Sequence, residues 1–251
     1  MNALITGASS GIGREMAIYL SELGYDLILV ARNKEKLLEL QDLVKTKTKI
    51  VVADLRDETK IKDLYVLCKN DNIDVLVNNA GFGLFGEFTE TDIATEMDMI
   101  DVNIKALHAL TKLFLKDMKK RNKGYILNVS SAASFGSGPL MATYYATKGY
   151  VTKLTVAIYE ELRRDKSKVH ISCLCPGPVN TNFNNTANVE FGMKGLDSRK
   201  VARYAIDKMF KNKLIIIPGF KMKMTTFFSR FASHKFAAKM VYNFQKKKGS
   251  K

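Results

Sequence analysis

The chain has 251 residues, 46% hydrophobic and 26% charged, which is enough for one sizeable buried core. Three cysteines, Cys68, Cys173 and Cys175, exclude a disulfide scaffold because their number is odd and their spacing is not that of a framework. No apolar run approaches the roughly 18 residues that a membrane span requires, and the N-terminus lacks a charged leader. We therefore predict one cytoplasmic domain without a metal site.

The basic residues are concentrated at the C-terminal end. The formal net charge is +15, yet no Asp or Glu follows Asp207, while 12 Lys and Arg lie between Lys208 and Lys251. Residues 1 to 207 therefore hold 28 basic groups against 25 acidic groups. The excess charge belongs to the tail.

Seven short aliphatic and β-branched runs are predicted as strands: ALIT, DLILVA, KIVVAD, IDVLVN, GYILNVSS, VHISCLC and LIIIPG. The stretches between them carry apolar residues at helical spacing, such as the stripe Ile100, Ile104, Leu107, Thr111, Phe114 and Met118. This alternation predicts an α/β fold with a doubly wound, parallel, seven-stranded sheet and helices on both faces. In such sheets ligands lie beyond the carboxyl ends of the strands.

The first predicted strand leads directly into a glycine-rich turn, TGASSGIG, from Thr6 to Gly13. Gly7 permits a tight turn, Gly11 allows a diphosphate to approach the backbone, and Gly13 allows close packing of helix on strand. The N-terminus of the following helix offers N–H donors to the same group. The turn predicts a dinucleotide site, although glycines also serve ordinary turns.

A basic cluster follows the second predicted strand. Arg32 lies nineteen residues after Gly13, and Lys34 follows shortly after it. A cofactor without a 2′-phosphate usually meets an acidic residue at this place, whereas a guanidinium binds a phosphate in bidentate geometry. We therefore predict NADP(H) rather than NAD, against the alternative that this cluster is a solvated helix start.

Polar residues also follow the third and fourth predicted strands. Asp54 and Leu55 end the third predicted strand, where the Asp54 carboxylate can accept from an adenine amino group, and the amides of NNAG, Asn78 to Gly81, can reach a ribose. Ordinary turn chemistry is the alternative, because Asp, Asn and Gly are common turn formers. Their occurrence at successive strand ends favours the cofactor.

Two adjacent tyrosines precede a lysine in the segment TYYATK. In a helix, Tyr144 lies at i and Lys148 at i+4, so they share a face; Tyr145, three residues before the lysine, is not excluded by this geometry. Ser131 ends the fifth predicted strand, and Asn103 lies in a helical stripe where Asn has poor propensity. The spacing leaves both tyrosines open.

The motifs TGASSGIG, NNAG, Asn103 in VNIKA, NVSS, YYATK and PGPVNT occur in the order and at the intervals of a known family. The chain resembles the short-chain dehydrogenase/reductase family, in its compact single-domain branch, over residues 2 to about 219. That resemblance implies a Rossmann-type catalytic domain over 1–219. In this family the Tyr and Lys are four residues apart and the Ser lies about thirteen before the Tyr, and Ser131, Tyr144 and Lys148 have these intervals.

The resemblance implies NADP(H)-dependent reduction of a carbonyl to an alcohol, with Tyr144 as general acid, Ser131 as donor to the substrate oxygen, Lys148 as the neighbouring cation and Asn103 as anchor of a relay water. The cation is expected to lower the pKa of Tyr144 toward neutrality, and Ser130 and Tyr145 are expected to be packing neighbours. The cofactor residues implied are Gly7, Ser9, Ser10, Gly11, Ile12, Gly13, Arg32, Asp54, Leu55, Asn79, Ala80, Gly81, Tyr144, Lys148, Pro176, Gly177, Val179 and Thr181. Related enzymes form homodimers or homotetramers.

The segment from Asn182 to Gly195 is predicted to be a long loop, and residues 220–251 a basic amphipathic extension. Three interpretations of the extension remain open: it covers the substrate pocket or an oligomer interface, it contacts the inner membrane surface peripherally, or, least favoured, it binds nucleic acid. An apolar substrate such as an acyl chain would suit membrane contact. The alternative function is a non-catalytic NADP-binding sensor or scaffold that acts through this basic extension.

Overall fold

The structure is a computed structural model that describes residues 1–181 and 195–246, without the side chain of Arg230. Its main sheet has seven parallel strands in the order β3-β2-β1-β4-β5-β6-β9. The strands of this sheet are β1 (Asn2–Thr6), β2 (Asp26–Ala31), β3 (Thr48–Val52), β4 (Ile73–Asn78), β5 (Gly124–Val129), β6 (Val169–Leu174) and β9 (Ile215–Ile216). All seven predicted strands are confirmed.

A further pair of short parallel strands, β7 (Val179–Asn180) and β8 (Leu196–Asp197), lies outside the main sheet. The helices are α1 (Gly11–Glu22), α2 (Lys34–Leu43), α3 (Glu58–Cys68), α4 (Ile93–Ile100), α5 (Leu107–Arg121), α6 (Ala142–Arg164), α7 (Ser198–Phe210), α8 (Phe220–Phe228) and α9 (His234–Lys246). Except for Gly195, the predicted loop from Asn182 to Gly195 lies outside the described residues. Within the described ranges, no helix combines the length and apolarity that a bilayer span needs.

Both faces of the sheet are buried, which is why the strands appear in the sequence as continuous apolar runs. Within β1, Ala3 and Ile5 pack on one side with α1 and α7, whereas Leu4 packs on the other side with α3 and α5. Successive side chains of a strand point to opposite faces, so each strand contributes to both cores. Helices on both faces confirm the doubly wound arrangement.

The helical stripe around Asn103 departs from its prediction. A π-helical segment, Asp101–Ala106, separates α4 from α5. Because this segment turns less per residue than an α-helix, it rotates the buried face, so that Asn103 is fully buried while Ile100 and Ile104 are only partly buried. The regular 3.6-residue stripe therefore holds from Leu107 onward.

The C-terminal extension is helical in its described part. Helix α8 leads through a short 3₁₀ turn, Ser229–Phe231, into α9. Helix α8 packs on a second 3₁₀ helix, Ala132–Phe135, which follows β5. The extension thus lies next to the carboxyl edge of the sheet.

Candidate active site

The residues singled out from the sequence follow the carboxyl ends of six strands. Because the strands are parallel, these ends lie along one edge of the sheet. The strand order reverses between β1 and β4, and in open α/β sheets this reversal opens a crevice for a ligand. The glycine turn follows β1 and NNAG follows β4, so the two flank that crevice.

The glycine turn has the geometry that a dinucleotide cradle requires. Gly7 and Gly11 have φ angles of +64° and +56°, a region that favours glycine. A Cβ on Gly13 would lie 2.5 Å from the Gly7 carbonyl oxygen and 2.3 Å from the Asn79 amide nitrogen, so no side chain fits there. Ser10 precedes α1 without capping it through its side chain, and the first turn of α1 contains no acidic residue. These features fit a diphosphate group at the helix N-terminus.

The two strand ends beside the crevice are joined by hydrogen bonds. The Asn79 side-chain amide donates to the Thr6 and Gly7 carbonyls at 3.0 and 3.2 Å. The Thr6 hydroxyl oxygen accepts from the backbone N–H groups of Asn79 and Ala80 at 3.0 and 3.1 Å. The Asn79 amide nitrogen therefore holds the glycine turn in place, a role that the sequence did not predict for it or for Thr6.

Arg32 and Asp54, both predicted to contact the adenosine part of a cofactor, follow β2 and β3 at the carboxyl edge of the sheet. Arg32 is exposed immediately after β2. The pKa of Asp54 is lowered mainly by Arg56, whose Nε donates to both Asp54 carboxylate oxygens at 3.0 and 2.9 Å, and the charge of Arg32 contributes to the same lowering. An adenine amino group would share the Asp54 carboxylate with Arg56. Leu55 is buried in the core below.

Asn103 joins three of the predicted motifs. Its side chain accepts from the Phe82 N–H at 3.1 Å and donates to the Phe82 carbonyl at 2.9 Å and to the Thr147 hydroxyl at 3.1 Å. Thr147 in turn donates to the Tyr144 carbonyl at 2.8 Å. A Cβ on Gly81 would lie 2.7 Å from the Asn103 side-chain oxygen and 3.2 Å from the Lys148 amine. The side chain of Asn103 thus forms structural hydrogen bonds that connect these segments.

Tyr144, Ser131 and Lys148 come together at the ends of β5 and α6. Tyr144 is buried, with 9% of its surface exposed, and its hydroxyl is hydrogen-bonded to Ser131. The Lys148 amine, on a residue 4% exposed, lies 5.9 Å from the Tyr144 ring centroid and donates to the Val129 carbonyl at 3.0 Å. Two hydroxyls and one amine therefore share a buried corner beside Gly81.

Burial dominates the protonation of this corner. It raises the pKa of Tyr144 to about 12, although the hydrogen bond from Ser131 acts in the opposite direction. It also lowers the pKa of Lys148 to about 8, because an ammonium is poorly solvated there. The expected lowering of the Tyr144 pKa by the neighbouring cation is wrong for this structure, since the loss of hydration outweighs other influences.

Ser130 and Tyr145, the neighbours of the predicted catalytic pair, have other partners. The Ser130 hydroxyl donates to the Lys148 carbonyl at 2.9 Å and lies 2.8 Å from the Thr152 hydroxyl. The Tyr145 ring packs edge-on against Tyr144 at 6.2 Å, and its hydroxyl accepts from the Gln245 side chain at 3.2 Å. Each is engaged in a contact that supports the corner from outside.

The PGPVNT segment closes the opposite side of the crevice. The Pro176 carbonyl accepts from the Ala132 N–H at 2.8 Å, which ties the segment to the residue after Ser131. A Cβ on Gly11 would lie 3.1 Å from Thr181, so the end of the segment contacts the glycine turn. Val179 is buried in the core, and Gly177 contacts the Met222 side chain of α8.

An apolar wall surrounds Tyr144. Met99 and Met141 are buried against its ring, and the partly buried side chains packed around them are Phe82, Leu84, Phe85, Ala133 and Tyr145. The extension adds Gln245, which is 2% exposed and contacts Tyr145 from α9. The sequence did not single out Gln245, because a buried glutamine among exposed lysines has no signal of its own.

Comparisons with known proteins agree with this architecture. A family model described as short chain dehydrogenase matches residues 1–190. An uncharacterized oxidoreductase of Staphylococcus epidermidis is 34% identical over 203 residues, which cover 80% of this chain and 86% of that one. A very-long-chain 3-oxoacyl-CoA reductase of Mycosarcoma maydis is 35% identical over 181 residues, covering 68% of this chain and 51% of that one.

A solved structure gives the same result. A short-chain dehydrogenase from Sphingobium yanoikuyae, in complex with NADPH, superposes with a TM-score of 0.83 at 26% identity, covering 92% of this chain and 93% of that chain. The sequence matches and the structural superposition each cover most of the described residues. The chain therefore belongs to the short-chain dehydrogenase/reductase family of oxidoreductases.

Proposed function

We propose that the protein is an NADPH-dependent reductase that converts an apolar ketone or aldehyde into an alcohol. The observation that carries this proposal is the Tyr144 hydroxyl, hydrogen-bonded to Ser131 at the carboxyl edge of the sheet and surrounded by an apolar wall. The NADPH complex of the Sphingobium relative supports the choice of cofactor.

Tyr144 is the proton donor in this proposal. A phenol with a pKa of about 12 stays protonated at neutral pH, so it is in the correct state to protonate a carbonyl oxygen. Ser131 donates a second hydrogen bond to that oxygen, and the two donors stabilise the charge that develops on it. A bound NADPH supplies the hydride to the carbonyl carbon.

After the transfer, Tyr144 must recover its proton. The Lys148 ammonium is buried beside the Tyr144 ring, and it stabilises the transient phenolate by its charge. The Asn103 side chain is occupied by Phe82 and Thr147. A relay water at Asn103 would therefore be held by its main chain rather than by its amide.

Arg32 supports NADPH over NADH. It is exposed directly after β2, where a 2′-phosphate of the adenosine ribose would lie in this fold. Lys34 adds a second positive charge two residues later, and no acidic side chain occupies the place of the carboxylate that binds an unphosphorylated ribose. The residues present thus fit the phosphorylated cofactor.

An acyl chain is the substrate class that we favour. The wall of Met99, Met141 and aromatic side chains offers an apolar surface next to the proton donor. The relative from Mycosarcoma maydis is named a 3-oxoacyl-CoA reductase, which supports a ketone on an acyl chain. Helix α8, through Met222, and helix α9, through Gln245, would close this pocket.

The experiment is steady-state oxidation of NADPH by the full chain with 3-oxoacyl thioesters, steroid ketones and small aldehydes. We expect turnover of the acyl substrates, with NADPH preferred over NADH. Measurable NADPH binding without turnover of any carbonyl would contradict the reductase and leave the non-catalytic binding module. We also infer a homodimer or homotetramer, by analogy with related enzymes, and sedimentation velocity would report the mass.

A further inference from the structure

The C-terminal extension exposes an unusual number of large apolar side chains. Phe220 and Phe231 are 76% and 77% exposed, and five more exceed 40%: Phe227, Phe228, Phe236, Met240 and Phe244. In α8 and the following turn, Phe227 stacks edge-on with Phe228 and Phe231 at 5.5 and 5.6 Å, so these rings form one cluster. Apolar surface of this extent on a domain marks a contact site.

Helix α9 has three distinct faces. Gln245 is buried and contacts Tyr145, which fixes the inner face on the domain. Phe236 and Met240, together with Phe244, follow at intervals of four residues and form an exposed apolar stripe. Lys235, Lys239 and Lys246 fall along the next edge of the helix, at 100° per residue. The helix is therefore held by one face and presents apolar and cationic faces outward.

The charge around this stripe has one sign. No Asp or Glu follows Asp207 in the sequence. Within the described part of the chain, the lysines between residues 208 and 239 form no ion pair with an acidic side chain, and Lys223 instead donates to the Tyr204 hydroxyl. In the part of the chain that the structure describes, these ammonium groups are thus not paired with carboxylates of the protein itself.

We propose that this surface, formed by α8, the Ser229–Phe231 turn and the outer face of α9, docks on an anionic lipid bilayer. Exposed Phe and Met enter the headgroup region while the lysines contact anionic headgroups, as in amphipathic helices that lie in the membrane plane. We call it the tail face. The contact is peripheral, because none of the described helices can span a bilayer.

Charge favours the bilayer over other occupants of the tail face. A second copy of the chain would bring two surfaces of the same positive sign together, and like charges across an interface are unfavourable. A nucleic acid would match the charge, but a phosphate backbone gives no partner to an apolar stripe of Phe236 and Met240. An anionic bilayer satisfies both the cations and the apolar side chains.

The test uses the full chain, because truncation would also remove the Gln245 contact with Tyr145. Binding is measured by co-sedimentation with vesicles of phosphatidylcholine alone and with 30% phosphatidylserine. The variants are Lys235→Glu/Lys239→Glu for charge and Phe236→Ser/Met240→Ser for insertion. The matched control, Lys62→Glu/Lys69→Glu, makes the same charge change on exposed residues at α3 and just after it.

The wild type should bind only the anionic vesicles. Each lysine near an anionic surface increases partitioning to that surface about fivefold. The Lys235→Glu/Lys239→Glu variant should therefore bind the anionic vesicles about twentyfold more weakly than wild type, or weaker still. The Phe236→Ser/Met240→Ser variant should lose at least about tenfold, while the α3 control stays near wild type. All variants should keep the wild-type melting temperature, which separates docking from folding.

Three results would overturn the proposal. One is equal loss in the α9 and α3 charge variants, which would indicate a non-specific effect of net charge. Another is full binding by the Phe236→Ser/Met240→Ser variant, since the apolar stripe would then take no part. The third is tighter binding of the wild type to duplex DNA than to anionic vesicles at the same salt concentration, which would assign the tail face to nucleic acid.

Discussion

Lys148 is expected to make the folded protein less stable at neutral pH, and Lys148→Met should therefore stabilise it. Burial lowers the lysine pKa from 10.5 to about 8. A lowered lysine pKa means that the folded state disfavours the ammonium, so the penalty is fully present below pH 8. It decreases as the pH rises toward 10.5, where the unfolded chain also loses the proton.

The magnitude follows from that shift. A difference of about 2.5 pKa units corresponds to about 3 kcal/mol at pH 7, and to about 1 kcal/mol at pH 9.5. The variant also loses the hydrogen bond to the Val129 carbonyl, which costs about 1 kcal/mol. Lys148→Met should thus be more stable than wild type by about 2 kcal/mol at pH 7, with little difference at pH 9.5.

The assay is urea unfolding of both proteins without cofactor at pH 7 and pH 9.5. The difference in free energy of unfolding between the two proteins should decrease by about 2 kcal/mol from pH 7 to pH 9.5. The same substitution should abolish most reductase activity, because the charge near Tyr144 is lost. A variant that is less stable than wild type at pH 7, with a gap that does not change with pH, would refute the assignment of a buried, destabilising ammonium.

Three further substitutions test the site. Gly13→Ala should prevent folding or NADPH binding, because its Cβ would lie 2.3 Å from the Asn79 amide nitrogen; normal melting and cofactor fluorescence would contradict the packing. Thr147→Val should cost about 1–3 kcal/mol in urea unfolding, since the Asn103 amide loses a buried partner; an unchanged midpoint would refute this. Arg32→Gln should weaken NADPH binding about 10–100-fold in fluorescence titration, with NADH unaffected; equal losses for both cofactors would remove Arg32 from the phosphate site.

The sheet could be predicted from the sequence because its strands are buried on both faces. Runs such as DLILVA and IDVLVN have no polar interruption, so their limits are visible directly, and the glycine turn after β1 is fixed by short-range geometry. Residues whose relative positions follow from local backbone geometry or from i, i+4 spacing, such as Tyr144 and Lys148, can also be identified from the sequence. A local sequence pattern is therefore sufficient to predict those features whose physical cause lies in neighbouring residues.

Other features depend on partners far along the chain. Arg56, which occupies the carboxylate of Asp54 two residues earlier, also donates to Asp98 forty-two residues later, and no local pattern indicates this second contact. The π-helical segment Asp101–Ala106 interrupts the predicted α-helical stripe, and the Asn103 side chain within it is hydrogen-bonded to the distant residues Phe82 and Thr147.

The sequence predicts an amphipathic extension over residues 220–251 but does not specify which side of α9 lies against the domain. Ala237 and Val241 are half-buried, whereas Met240 and Phe244 are exposed. The helix is oriented by the contact of Gln245 with Tyr145, one hundred residues earlier. The spacing of the apolar residues predicts that this segment is a helix, but it does not indicate which face of the helix is buried.

The electrostatics of the site could not be predicted from residue spacing either. Spacing places an ammonium one turn from a phenol, and at an exposed site this would lower the phenol pKa. In the structure both groups are buried, and the loss of hydration moves the pKa of Tyr144 up and that of Lys148 down. The direction of each shift depends on burial, which the sequence does not specify.

We infer that the hydroxyl of Tyr144, and not that of Tyr145, protonates the substrate. The most direct measurement is NADPH-dependent reduction of one accepted ketone by wild type, Tyr144→Phe and Tyr145→Phe, each with confirmed NADPH binding. We expect Tyr144→Phe to lose at least about 100-fold in kcat, while Tyr145→Phe keeps most of it and loses only the contact with Gln245. An active Tyr144→Phe variant together with an inactive Tyr145→Phe variant would contradict the assignment of Tyr144 as the proton donor.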